Sequence, residues 1–175
     1  MTLRGKTIFT FCLIYLGLIR WADEEHEKRL DESIAAVHQA WTNGSYDGLL
    51  CFSQGAALGG LFCVLQHTGK LPFRFDFCIL VSGFVSDKHR DKFATLGEER
   101  IRIPSLHITG EKDSIIDTSR SEELARQFLE GQVCRHPGGH YLPYTGDTKD
   151  AVLGFLEARL KELQTKEEAD GEKGA

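Results

Sequence analysis

Ser53, Asp113 and His140 are the residues whose types and order could do chemistry together. Ser53 ends an apolar run at residues 49–52 and is followed by Gln54, Gly55, Ala56 and Ala57. An apolar strand, a serine and a helix of small residues form the pattern of a nucleophile elbow, whose strained turn lifts the hydroxyl above the sheet edge. The usual spacing is Gly-x-Ser-x-Gly; here Cys51 stands at the first glycine position and Gly55 at the second. A serine hydroxyl is a weak nucleophile until a base takes its proton, and the base needs an acid to orient it. On folds with this elbow the chain order is serine, acid, histidine. Asp113 follows the apolar run 105–109 within Gly110-Glu111-Lys112-Asp113, which puts it at the same sheet edge as Ser53. His140 closes Gly138-Gly139-His140, where two glycines leave the loop room to reach across.

Each position has a plainer reading. Ser53 alone would serve as a helix N-cap. Asp113 could simply close a turn, with Glu111 and Asp117 as rival acids. Among the seven histidines, His107 falls in mid-strand and reads as packed, and His136 is the rival base. Cys134, His136 and His140 lie close in sequence, but no second ligand pair with zinc spacing follows them and HExxH is absent, so metal is set aside. The glycines near the elbow make neither GxGxxG nor a Walker lysine, and no nucleotide cofactor is expected.

A chain of 175 residues is the size of one domain. The net charge of −5 supplies no basic field, which sets nucleic acid aside as a partner. The five cysteines have no framework spacing, so reduced thiols and a cytoplasmic, or also nuclear, location are expected. Residues 7–19 are nearly all apolar. They read first as a buried strand or helix and second as a targeting or membrane-contacting segment, too short for a transmembrane helix, which needs about 20 apolar residues.

The elements that must position the three side chains follow from periodicity. Residues 8–16 are rich in β-branched and aromatic types and read as a strand. Leu30, Ile34, Val37 and Trp41 recur at helical spacing within 23–43. Strands are then expected at 47–52, 77–82, 105–109 and 132–135, with helices at 54–67 and 119–129. Residues 87–102 read as a polar loop or short helix. Val152, Leu156, Leu160 and Leu163 mark a final helix. The expected organisation is a divergent apolar segment over 1–22, one hydrolase-like domain over 23–164, and a disordered charged tail over 165–175. Strands alternating with helices predict an α/β fold with a largely parallel sheet and helices on both faces.

The combination resembles the FSH-type serine hydrolases of the α/β-hydrolase superfamily, especially the branch of ovarian-cancer-associated esterase-like proteins. Residues 46–57, 79–84, 103–110 and 138–140 carry the resemblance, which covers roughly 23–160. It implies carboxylic-ester hydrolysis of a small-molecule substrate, with Ser53 as nucleophile, Asp113 as acid, His140 as base and no cofactor. The backbone N–H of Gln54 is the implied oxyanion donor. Such proteins carry further strands and a second oxyanion loop before the elbow. This chain therefore reads as an N-terminally truncated or alternatively spliced member, the first strands of the fold missing or replaced. Two functions are expected from that: a serine esterase, or a weakly active or inactive hydrolase derivative that acts by binding.

Overall fold

The computed structural model describes residues 2–3, 6–7, 26–44 and 46–173, with side chains over 28–44 and 46–165. The helical spacing of Leu30, Ile34, Val37 and Trp41 is realised in α1, His26–Asn43, whose apolar stripe meets the core. Trp41 packs tilted against Phe73 with ring centroids 5.4 Å apart. β1 (Thr2–Leu3) and β2 (Lys6–Thr7) pair antiparallel as a small ribbon. The strand expected over 8–16 and the apolar segment continuing to residue 19 lie outside the described residues.

The main sheet holds β3 (Gly48–Phe52), β4 (Phe77–Val81), β5 (Ser105–Gly110) and β6 (Gly131–His136), parallel throughout and side by side in chain order. Every residue of β4 and β5 is buried. Near-continuous apolar runs are what a parallel strand needs when both its faces are covered.

The register decides which side chains share a face. Leu49 pairs with Cys78 and Cys51 with Leu80 on one side, while Leu50 pairs with Ile79 and Phe52 with Val81 on the other. Parallel strands in the same sheet are joined by right-handed crossovers. Because the strands advance in one direction, every connecting helix must land on the same face. So α2 (Gln54–His67), α3 (Arg90–Ala94) and α4 (Thr118–Ala125), with α1, build one core around Leu61, Phe62, Leu80, Phe93, Leu124 and Phe128. The opposite face is left to α5 (Gly146–Lys173), whose Phe155 packs on Phe77, Ile79, Val81, Leu106 and Ile108.

Two boundaries differ from the sequence expectation. The helix expected over 119–129 ends at Ala125. Beyond it the backbone is drawn into a bridge with Ile101: the Ile101 N–H donates to the Gln127 carbonyl at 2.8 Å and the Leu129 N–H to the Ile101 carbonyl at 2.9 Å. The disordered tail expected over 165–175 is instead helical as far as Lys173. Its lysines, glutamates and alanine are good helix formers, and they extend a helix already nucleated on the sheet.

Candidate active site

Ser53 leaves β3 still tied to the neighbouring strand, its N–H donating to the Val81 carbonyl at 2.8 Å. Its own carbonyl accepts from the N–H groups of Ala56 and Ala57 at 2.9 and 3.0 Å, which starts α2 at once. Turning from strand to helix in one residue forces φ to 55° and ψ to −121°. A non-glycine residue there is strained. The hydroxyl makes no capping bond to α2, so the N-cap reading of Ser53 is not what its side chain does. Cys51, where glycine is usual, is buried with its Sγ toward Gly59. A Cβ on Gly59 would lie 2.8 Å from that sulfur, so the missing side chain in the helix makes room for the extra one in the strand.

The Ser53 hydroxyl faces His140 Nε2 at 2.9 Å, and His140 Nδ1 faces Asp113 Oδ2 at 2.8 Å. Three distant stretches of sequence thus form one hydrogen-bonded chain. The Asp113 carboxylate is fully shielded from solvent. Its Oδ1 accepts from the N–H groups of Ile115 and Ile116, each at 2.9 Å, and its Oδ2 also accepts from the Ser82 hydroxyl at 2.8 Å. Burial alone would raise the Asp113 pKa. The donors from Ile116, His140, Ile115 and Ser82 together outweigh it and bring the pKa down to about 2.

The histidine loop is fastened to the acid turn by backbone. The Glu111 N–H donates to the His136 carbonyl at 2.8 Å and the Lys112 N–H to the Gly138 carbonyl at 3.0 Å. A side chain on Gly110 would collide with the Gly138 and Gly139 carbonyl oxygens, and one on Gly138 would collide with the Tyr141 phenol. Glycine here permits close approach of two backbones and a ring. His140 also packs on Phe52, with ring centroids 4.7 Å apart.

The rival residues lie elsewhere. Asp117 caps α4, accepting from the Ser119 N–H at 2.8 Å. Glu111 is exposed. His136 is buried beneath the loop, its Nδ1 accepting from the Gly138 N–H at 3.2 Å and its ring 5.1 Å from that of Tyr141. Burial lowers its pKa against the opposing pull of Asp113 and Glu111. His107 is packed as expected, with Nε2 3.0 Å from Ser105 Oγ, and burial lowers its pKa to about 4. Cys134 Sγ turns toward Thr148 Oγ1 at 3.9 Å. Among the described residues, no group of three or more His, Cys, Asp and Glu side chains could hold a metal ion.

Two clefts adjoin the site. On the Gln54 side, about 270 Å³ is lined by Gln54, Ala57, Leu58, Phe84 and Arg120 among others, with the Arg120 guanidinium 4.5 Å over the Phe84 ring. On the His140 side, about 340 Å³ is lined by Leu50, Phe52, Val81, Tyr141 and Leu142. A larger hollow of about 500 Å³ between α4 and the start of β6 contains none of the three residues. Sequence reasoning passed over Ser82. The available signal was a serine ending a buried strand directly before a glycine, much as Ser53 ends β3.

Comparison with known proteins bears on the family and the fold. The serine hydrolase (FSH1) family profile matches residues 17–152. The chain belongs to that family. An esterase of Drosophila melanogaster is 42% identical over 140 residues, which span 78% of this chain and 49% of that protein. Esterase OVCA2 of Homo sapiens is 40% identical over 130 residues, 73% of this chain and 57% of that protein. The chain thus spans about half the length of the curated relatives it matches. Among solved structures, acyl-protein thioesterase 2 of Zea mays superposes with a TM-score of 0.60 at 18% identity, covering 80% of this chain and 69% of that one. Esterase PE8 gives 0.54 at 22%, covering 75% and 60%. At these identities the structural neighbours speak for the α/β-hydrolase fold alone.

Proposed function

We propose that this chain is a serine esterase that hydrolyses carboxylic esters through an acyl-enzyme, with Ser53 as nucleophile, His140 as general base and Asp113 as the orienting acid. The observation that carries the reading is the unbroken sequence of contacts Ser53 Oγ to His140 Nε2 and His140 Nδ1 to Asp113 Oδ2. In the first step Nε2 takes the hydroxyl proton while Oγ bonds to the ester carbonyl carbon. The carbonyl electron pair moves to oxygen, and the Gln54 N–H, first on α2, donates to the resulting oxyanion. The buried Asp113 carboxylate stabilises the imidazolium through Nδ1–H. Collapse breaks the bond to the leaving alkoxide, which receives the proton from Nε2. Water then gives a proton to Nε2 as its oxygen bonds to the acyl carbon, and collapse releases the acid while Nε2 returns that proton to Ser53 Oγ.

The directions of the clefts support an assignment of substrate halves. The leaving group must lie within reach of Nε2, which favours the apolar cleft lined by His140, Tyr141 and Leu142. The acyl chain then lies toward Gln54 and Phe84. Among the described residues, no helix is long and apolar enough to cross a membrane. A cytoplasmic or nuclear setting belongs to the same proposal, on the ground that the five cysteines follow no disulfide framework spacing.

The test is a fluorophosphonate probe applied to the purified full chain and to Ser53→Ala, with p-nitrophenyl esters of short and long acyl chains. Wild type is expected to label and turn over, and S53A to lose roughly 10⁴-fold or more in kcat. No labelling, or equal labelling of the two, overturns the esterase reading in favour of a hydrolase derivative that acts by binding.

A further inference from the structure

We propose that Ser82 is a positioning residue of this site, its hydroxyl holding the Asp113 carboxylate in the plane that meets His140. The proposal rests on the serine-esterase reading above. Its starting point is the backbone. Ser53 and Ser82 are the only non-glycine residues with positive φ among the described residues, at 55° and 48°. They are also neighbours, since Phe52 and Val81, the residues just before them, are registered partners in β3 and β4. Each passes its N–H to the next strand over, Ser53 to the Val81 carbonyl and Ser82 to the Ile108 carbonyl, both at 2.8 Å.

A left-handed φ favours glycine, and a glycine stands right beside this position at Gly83. What glycine lacks at 82 is the hydroxyl, and the hydroxyl is committed. The Ser82 side chain is completely buried, and Oγ donates to Asp113 Oδ2 at 2.8 Å. The turn after it is fixed in turn, as the Ser121 hydroxyl donates to the Gly83 carbonyl at 2.8 Å.

The carboxylate explains why the donor is needed. Oδ1 is held by Ile115 and Ile116, both from its own turn. Those bonds fix one oxygen and leave the group able to pivot about it. Oδ2 receives Ser82 from the end of β4 and His140 from the loop after β6, two donors from different elements. Ser82 stops the pivot from the end of β4, so His140 finds its acceptor already in place. The titratable groups around Asp113 are His140, in contact, and His136 behind it; Glu111 faces His136 in turn. Its donors are two backbone N–H groups, the Ser82 hydroxyl and His140.

Ser82→Ala and Ser82→Gly separate the hydroxyl from the backbone. Glycine accepts φ of 48° without strain, so S82G is expected to fold at least as stably as S82A. If the hydroxyl positions Asp113, both variants lose roughly ten- to hundredfold in kcat, the range for losing a buried hydrogen bond to a charged group. KM for the same p-nitrophenyl ester stays within about twofold, because Ser82 lines neither cleft. The downfield proton resonance of His140 Nδ1–H, read on resting protein, shifts in both variants. An S82G protein with wild-type kcat and an unmoved resonance overturns the proposal and leaves Ser82 as a turn residue. Should the wild-type chain take no fluorophosphonate, the esterase reading fails, while the resonance still decides whether Ser82 orients the Asp113–His140 pair.

Discussion

The two faces of the sheet are built to different standards. One carries α1, α2, α3 and α4, and its core includes Leu61, Phe62, Cys63 and Val64 with almost no exposure. The other carries α5 and a smaller buried cluster, Phe77, Ile79, Val81, Leu106, Ile108 and Phe155, edged by the partly buried Leu50, Phe52, Leu142, Val152 and Leu156. The cause is topological: strands laid down in one direction with right-handed crossovers send every connection to one side. The consequence is a division of labour. The crowded face supplies rigidity under the elbow, and the sparse face supplies the open apolar cleft next to His140. Leu49 and Leu50 are adjacent in sequence, yet one serves packing and the other lines a cleft.

The strongest attempt to break this contrast is truncation in the crowded core. Phe62→Ala is expected to cost about 3–5 kcal/mol, and Leu49→Ala about 2–4, by chemical denaturation. Values near 1 kcal/mol would show that the crowded face relaxes freely, and the contrast would fall.

Acid titration sharpens the same point. His107 projects toward the crowded face, opposite Leu80 in the register and edge-on to Phe128 at 4.8 Å. Burial lowers its pKa from 6.5 to about 4. The unfolded chain therefore takes up a proton below pH 6.5 that the folded chain refuses until about pH 4. The contribution is fully present above pH 6.5 and fades as pH falls to 4, by up to about 3 kcal/mol. His107→Gln, which can still bond Ser105, is expected to flatten stability against pH across that window. An unchanged slope would mean that His107 is hydrated after all.

The smallest effect on stability is expected at the cleft. Leu50→Ala should cost no more than about 1.5 kcal/mol because the side chain is only partly buried. It should nonetheless raise KM for apolar esters severalfold with kcat little changed. A KM that moves with Leu49→Ala and not with Leu50→Ala would reverse the assignment of the two faces.

Much of this architecture was readable from the residues. β4 and β5 are unbroken apolar runs, and such runs in an alternating pattern have few parallel-sheet solutions. Ser53, Asp113 and His140 were legible because strand ends share one edge of a parallel sheet, so that order along the chain becomes proximity in space. Ser82 was not legible in that way, since its role depends on a left-handed φ and on which side of a carboxylate remains open. In the sequence Gly138 and Gly139 read as slack for the loop, while the crowding that demands glycine is at Gly110 and Gly138. The end of α4 escaped because a long-range bridge to Ile101 outcompetes local helical periodicity. The polar tail was misjudged for the opposite reason, because composition suits disorder and helix alike until a preceding turn is anchored.

The backbone angle at Ser53 has a consequence for inheritance. Glycine at that position would relieve the turn and gain on the order of 1 kcal/mol. Mutation filtered for folding alone would therefore erode this residue early among the site's side chains, well before the buried Asp113. Within any set of descendants of this chain, the letter at position 53 is the one to watch: on the esterase reading proposed above, glycine would mark a lineage released from hydrolysis, and serine one still held to it.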